Sequence, residues 1–150
     1  SAFRFYAAGT DGFYTAETDF QIDVNLDATV GQPASASLTP IEELGNVSLS
    51  KNAAGNLYAG TTEITFNGST LNFDLYSAAG MTALAVEDGV DGGNALLWKL
   101  SDGSVYHWKF NTEWERTSAF RFYAAGTDGF YTAETDFQID VNLDATVGQP

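Results

Sequence analysis

The chain has no cysteine. Disulfides, thiol nucleophiles and cysteine-held zinc or iron–sulfur centres are therefore excluded. It has one histidine, His107, so no imidazole cluster exists to hold a metal. Any Ser–His–acid triad would have to use that residue, and no G-x-S-x-G elbow accompanies it. No glycine-rich phosphate loop opens a helix, and the carboxylates are too numerous for one pair to stand out as an acid and base. No catalytic residue is assigned, and the expectation is a protein that is not an enzyme. No apolar run reaches the roughly 20 residues of a membrane span, so membrane insertion is not expected. Positive charge is scarce: six Lys and Arg stand against 20 Asp and Glu, a net of −14. A surface of that sign repels phosphate backbones and anionic lipid, which argues against nucleic acid as a partner, and it favours divalent cations.

What is present is a substantial apolar complement and a repeat. At 44% hydrophobic and 14% aromatic, the 150 residues can bury a core. Residues Ser1–Pro33 return without change as Ser118–Pro150, an offset of 117 residues. Self-similarity at a fixed period is the signature of an array. The duplicated tail holds five carboxylates and one arginine, so one period carries 15 acidic and five basic side chains, a net of −10. The small-residue stretch Val30–Ala36 is the candidate module boundary. This phasing makes 1–33 a partial copy of a preceding repeat, its C-terminal strands or a donor segment, and 34–150 one complete module. The alternative phasing is 1–117 plus 118–150.

The local pattern is β almost throughout. Thr18–Val30 alternates strictly, with Phe20, Ile22, Val24 and Leu26 on one side and Asp19, Gln21, Asp23, Asn25 and Asp27 on the other. Such a period of two predicts a long half-buried strand with an acidic solvated face. Further strands are expected at Ala2–Tyr6, Ala34–Leu38, Val47–Ser50, Leu57–Phe66, Leu71–Tyr76, Ala95–Leu100 and Val105–Trp114. Asn67-Gly68 predicts a type I′ hairpin, and Ser101-Asp102-Gly103 a second hairpin. A one-turn helix is expected at Thr39–Gly45, where Thr39 caps, Pro40 takes the first position and Glu42 completes a capping box. Ser77–Val86 is read as a strand with an irregular approach. About eight strands per period suggest an all-β, antiparallel β-sandwich of Ig-like type, with a β-barrel as the alternative.

Three constellations bear on function. Glu87, Asp88, Asp91 and Asn94 gather three carboxylates and an amide in a glycine-containing stretch, a candidate calcium loop, because calcium takes 6–8 oxygen ligands from flexible acidic segments. Asp23-Val24-Asn25-Leu26-Asp27 imitates the start of an EF-hand loop but has Ala28 where glycine is needed and Ala34 where glutamate is needed. Tyr106, Trp108, Phe110 and Trp114 share one parity of their strand. They are expected in the core, with a sugar-stacking platform as the alternative. His107 and Lys109 fall on the opposite parity, which is expected to face water.

An acidic, cysteine-free β module repeated with perfect identity resembles the tandem modules of large bacterial surface adhesins and extracellular filament proteins. The residues that carry the likeness are the Ser1–Pro33/Ser118–Pro150 block and the acidic stretch Glu87–Asn94. The resemblance implies a non-catalytic extender module, secreted or displayed on a bacterial cell surface and stiffened by calcium. Its partners would be adjacent identical repeats or neighbouring subunits. Two other functions fit the same features: a fibre subunit assembled by strand donation between modules, and a carbohydrate-binding β-sandwich module with a glycan as partner.

Overall fold

The computed structural model describes residues 37–150. The first copy of the repeat, including the expected strands at Ala2–Tyr6 and Thr18–Val30, lies outside the described residues. Leu38–Pro150 forms one compact unit, mostly β, built from antiparallel sheets with no closed barrel.

Four short strands form the first sheet, in the order β1 (Thr39–Glu42), β2 (Leu49–Lys51), β3 (Leu57–Ala59) and β4 (Thr62–Glu63). The helix expected at Thr39–Gly45 is instead strand β1. Its capping box does not form, because the Glu42 carboxylate accepts from the Leu44 amide instead of reaching back to residue 39. Pro40 is tolerated because β1 lies at a sheet edge, where a missing N–H costs no ladder bond. The expected strand Leu57–Phe66 is broken at Gly60, and its end becomes β5 (Thr65–Phe66), which pairs with β6 (Ser69–Thr70). Asn67 and Gly68 between them have φ of 51° and 74°, as a type I′ turn requires.

A short helix, α1 (Phe73–Ala78), replaces the strand expected at Leu71–Tyr76. Asn72 decides this: its side-chain oxygen accepts from the amides of Asp74 and Leu75, both at 3.1 Å, satisfying two donors that a helix start otherwise leaves open.

The central sheet is a meander of β7 (Met81–Val90), β8 (Gly93–Leu100), β9 (Val105–Phe110) and β10 (Arg116–Tyr123), in the spatial order β10-β9-β8-β7. Ser101–Gly103 turns between β8 and β9, as expected. The last strand read from the sequence ends early, at Phe110. Asn111 Oδ1 then accepts from the amides of Glu113 and Glu115, and Trp114 turns at φ 60° back into the core.

Both faces of this sheet are covered. Leu96, Trp98, Trp108 and Phe110 pack with Leu49, Leu57, Ile64 and Leu71 of the first sheet and its hairpin. On the other side Ala95, Leu97 and Val105 pack under Phe130, Ala133, Phe137 and Val141. Those last four belong to helix α2 (Asp128–Asp136) and the chain after it. The second copy of the repeat therefore supplies an edge strand, a helix and a covering segment.

In the second copy the same alternating sequence does not form a strand. Thr135–Val147 is identical to Thr18–Val30, yet it holds the end of α2 followed by turns. Glu134 is fully buried and accepts from the amides of Val141 (2.9 Å), Asn142 (3.2 Å) and Gly148 (3.2 Å). Asp140 accepts from Asp144 and Ala145 at 3.2 and 2.8 Å. Side-chain acceptors here take the amides that a ladder would have used.

Candidate functional site

The aromatic row of β9 divides as the structure is built up. Trp108, Phe110 and Trp114 are buried, which agrees with the core reading. Tyr106 is half-buried and sits at a rim. From the interior outward the rings run in contact: Trp98 and Trp108 have centroids 5.2 Å apart, and Tyr106 lies 5.8 Å from Phe120 and 5.3 Å from Phe122. Phe120 and Phe122 are 56% and 49% exposed, so the row ends in a wet apolar surface on the edge strand β10.

Between these rings lies an open cleft of about 250 Å³ lined by Met81, Tyr106, Trp108, Arg116 and Phe120. The Arg116 guanidinium stacks over Trp108, 3.6 Å from the ring centroid, with Phe66 on its other flank at 4.6 Å. Burial pulls its pKa below the ordinary arginine value, and its Nε has no hydrogen-bond partner among the described residues. A chain so rich in carboxylates here places a cation against rings instead of an acid. Sequence reasoning missed this site because two of its residues, Arg116 and Phe120, come from across a turn and only the pairing of β9 with β10 brings them to Tyr106 and Trp108.

His107 is not on a solvated face. It is 2% exposed and meets the Phe137 ring edge-on, with centroids 5.4 Å apart. The expectation failed because α2 and the following segment, not water, cover that side of β9. Burial drives its pKa down to about 4.

The four candidate calcium residues are not brought together. Glu87 and Asp88 lie within β7 and turn toward residue 46: Glu87 Oε2 accepts from the Asn46 amide at 3.0 Å and Asp88 Oδ1 from the Asn46 side chain at 3.4 Å. Asp91 sits in the β7–β8 turn and pairs with Arg121 at 2.9 Å and Lys109 at 3.5 Å. Asn94, on β8, donates to the Asn111 carbonyl. Among the described residues no three Asp, Glu, His or Cys side chains gather as a metal-holding group. No helix among them is long and apolar enough to cross a membrane.

No curated protein and no solved structure matches the chain. A family model does match, over residues 48–148, from just before β2 through nearly all of the second repeat copy. All three tryptophans, Trp98, Trp108 and Trp114, fall within that span and within one core cluster. With more than half of its length matched, the chain belongs to the family described as the tryptophan-rich Synechocystis species C-terminal domain.

Proposed function

We propose that this chain is a repeat module of a tandem array, a non-catalytic extender of a secreted or surface-displayed bacterial adhesin or extracellular fibre. The observation that carries the reading is the unchanged return of Ser1–Pro33 as Ser118–Pro150. The role of the second copy supports it. Strand β10 adds an edge to the central sheet, helix α2 and the covering segment seal one of its faces, and Lys99 reaches across to the Val141 carbonyl at 2.7 Å. On this reading residues 34–150 are one full repeat. The function is mechanical: identical modules, each carrying the same negative charge, space a distal end from its anchor. The two sheets that share a core are the leaves of a sandwich. An Ig-like assignment would need a Greek-key crossover, whereas both four-stranded sheets run as meanders.

Fragment stability tests the phase. Residues 34–150 should melt cooperatively and at the temperature of the full chain. Residues 1–117 should not, having lost the cover of His107 and Leu97. Equal stability of the two fragments would refute the phasing.

The exposed rings favour a second reading, glycan binding. Tyr106 and Phe120 flank a cleft whose floor carries the Arg116 donors, a geometry suited to stacking a sugar ring and bonding its hydroxyls. Saturable binding on a glycan array, lost in Phe120→Ala with the melting temperature preserved, would promote this reading over the first.

A further inference from the structure

Two carboxylates meet at the turn that follows β1. Glu42 is 8% exposed and Glu87 is 2% exposed. Each is anchored through one oxygen to an amide of the same short turn, Glu42 Oε1 to Leu44 and Glu87 Oε2 to Asn46. The other oxygen of each, Glu42 Oε2 and Glu87 Oε1, is buried without a partner among the described residues. Buried acceptors left open are costly, and two buried anions in mutual range are more so. No Lys, Arg or His among the described residues makes an ion pair with either. The charges that do face them are acidic: Glu43 beside Glu42, and Asp88 beside Glu87.

Gly45 keeps the pair in place. Its φ of 79° is left-handed, and a β-carbon there would fall on the Glu87 carboxylate. The close approach of Glu87 to the turn therefore depends on a residue without a side chain.

We propose that Glu42 and Glu87 hold a calcium-type divalent cation between the turn at residues 42–46 and strand β7. The two open oxygens supply the charge. The Asn46 side-chain oxygen, turn carbonyls and water complete an oxygen shell of the irregular kind that calcium accepts. A cation fits these groups better than a shared proton does. One proton would close one open oxygen and leave the other without a partner. The site differs from the Glu87–Asn94 hairpin: it keeps Glu87, adds Glu42, and leaves Asp91 and Asn94 to their own partners. It does not depend on the array reading.

The test is thermal melting of the full chain at pH 7.5 in chelator and in about 10 mM calcium chloride, with calorimetry of calcium binding. A weak site, with Kd in the 10⁻⁴–10⁻³ M range, should raise Tm by several degrees. Glu42→Gln and Glu87→Gln should abolish both the shift and the binding heat. Each should still fold in chelator, since amides remove the like-charge repulsion. Asp91→Asn should keep the shift. Absence of any calcium-induced shift in the parent chain overturns the proposal and leaves a proton as the occupant. A shift that survives both glutamine variants, or that Asp91→Asn abolishes, overturns it as well.

Discussion

Acidification should destabilise the chain through His107 by an amount that can be isolated. The imidazole is 2% exposed, packs on Phe137, and has Nε2 without a partner among the described residues. Burial lowers its pKa from 6.5 to about 4. Between those values the unfolded chain binds a proton that the folded chain refuses. Stability is therefore lost as pH falls from about 6.5 toward 4, and below that the loss is complete. At 1.36 kcal/mol for each pKa unit, the difference comes to about 3 kcal/mol. Glu42 works in the opposite sense. Burial, with Glu87 and Glu43 nearby, lifts it from 4.5 to about 7, so its contribution is full below pH 4.5 and is lost as pH rises through 7. Glu87 and Asp136, also raised by burial, act in the same sense as Glu42, so the profile of the parent chain alone does not isolate the histidine. Urea denaturation of the parent chain and of His107→Leu in chelator, at pH values from 7.5 to 4, separates them. The stability of the parent relative to the variant should fall by about 3 kcal/mol over that range. Parallel profiles would refute the reasoning. They would mean that His107 titrates freely in the folded state, as the polar parity of its strand suggests.

Glu134→Ala removes the acceptor for three amides in a buried site, and should cost about 3 kcal/mol or more in urea denaturation while making the segment after α2 newly sensitive to protease. Phe137→Ala opens a cavity against His107 and Val105 and should cost about 3–5 kcal/mol by the same measurement, with the His107 pKa, followed by NMR, moving back toward 6.5. Asn72→Ala removes the cap of α1 and should cost about 1 kcal/mol, leaving near-ultraviolet circular dichroism unchanged if Tyr76 keeps its place against Trp98.

How far the fold could be read in the sequence depended on whether a local signal had a tertiary competitor. The Asn67-Gly68 and Ser101–Gly103 turns were legible because their backbone demands are met by the turn residues themselves. The burial of Trp108, Phe110 and Trp114 was legible because three large rings on one parity have few other places to go. Thr39–Gly45 was misread. Its helix signal was real but worth only a turn, and it competed with pairing along β2 and with the demand of the Leu44 amide on Glu42. Of the cleft at Arg116, Tyr106 and Trp108 showed in the parity of β9, whereas Arg116 and Phe120 join them only by strand pairing.

The conformation of Thr135–Val147 shows where a period of two stops being evidence. Alternation establishes that apolar residues can share a face; it does not establish that the residues between them face water. In this segment the intervening positions include Asp136, Gln138, Asp140, Asn142 and Asp144. Asp140, Asn142 and Asp144 carry short side chains that reach their own following amides, and each does so here. Gln138, Leu143 and Ala145 consequently adopt positive φ of 53°, 62° and 71°, conformations incompatible with a ladder. Lys or Thr at those three positions would have left the amides to a neighbouring strand. Asp and Asn at every second place instead carry a rival for every second hydrogen bond. The apolar partners are not wasted by this, because Phe137 and Val141 still reach the core, buried from a turn rather than from a strand. Replacing Asp140, Asn142 and Asp144 together by Thr tests the point. The variant should lose the turns, expose Phe137 and Val141, and melt well below the parent. An unchanged melting temperature would mean that apolar burial alone holds the segment, and that the acidic side chains only decorate it.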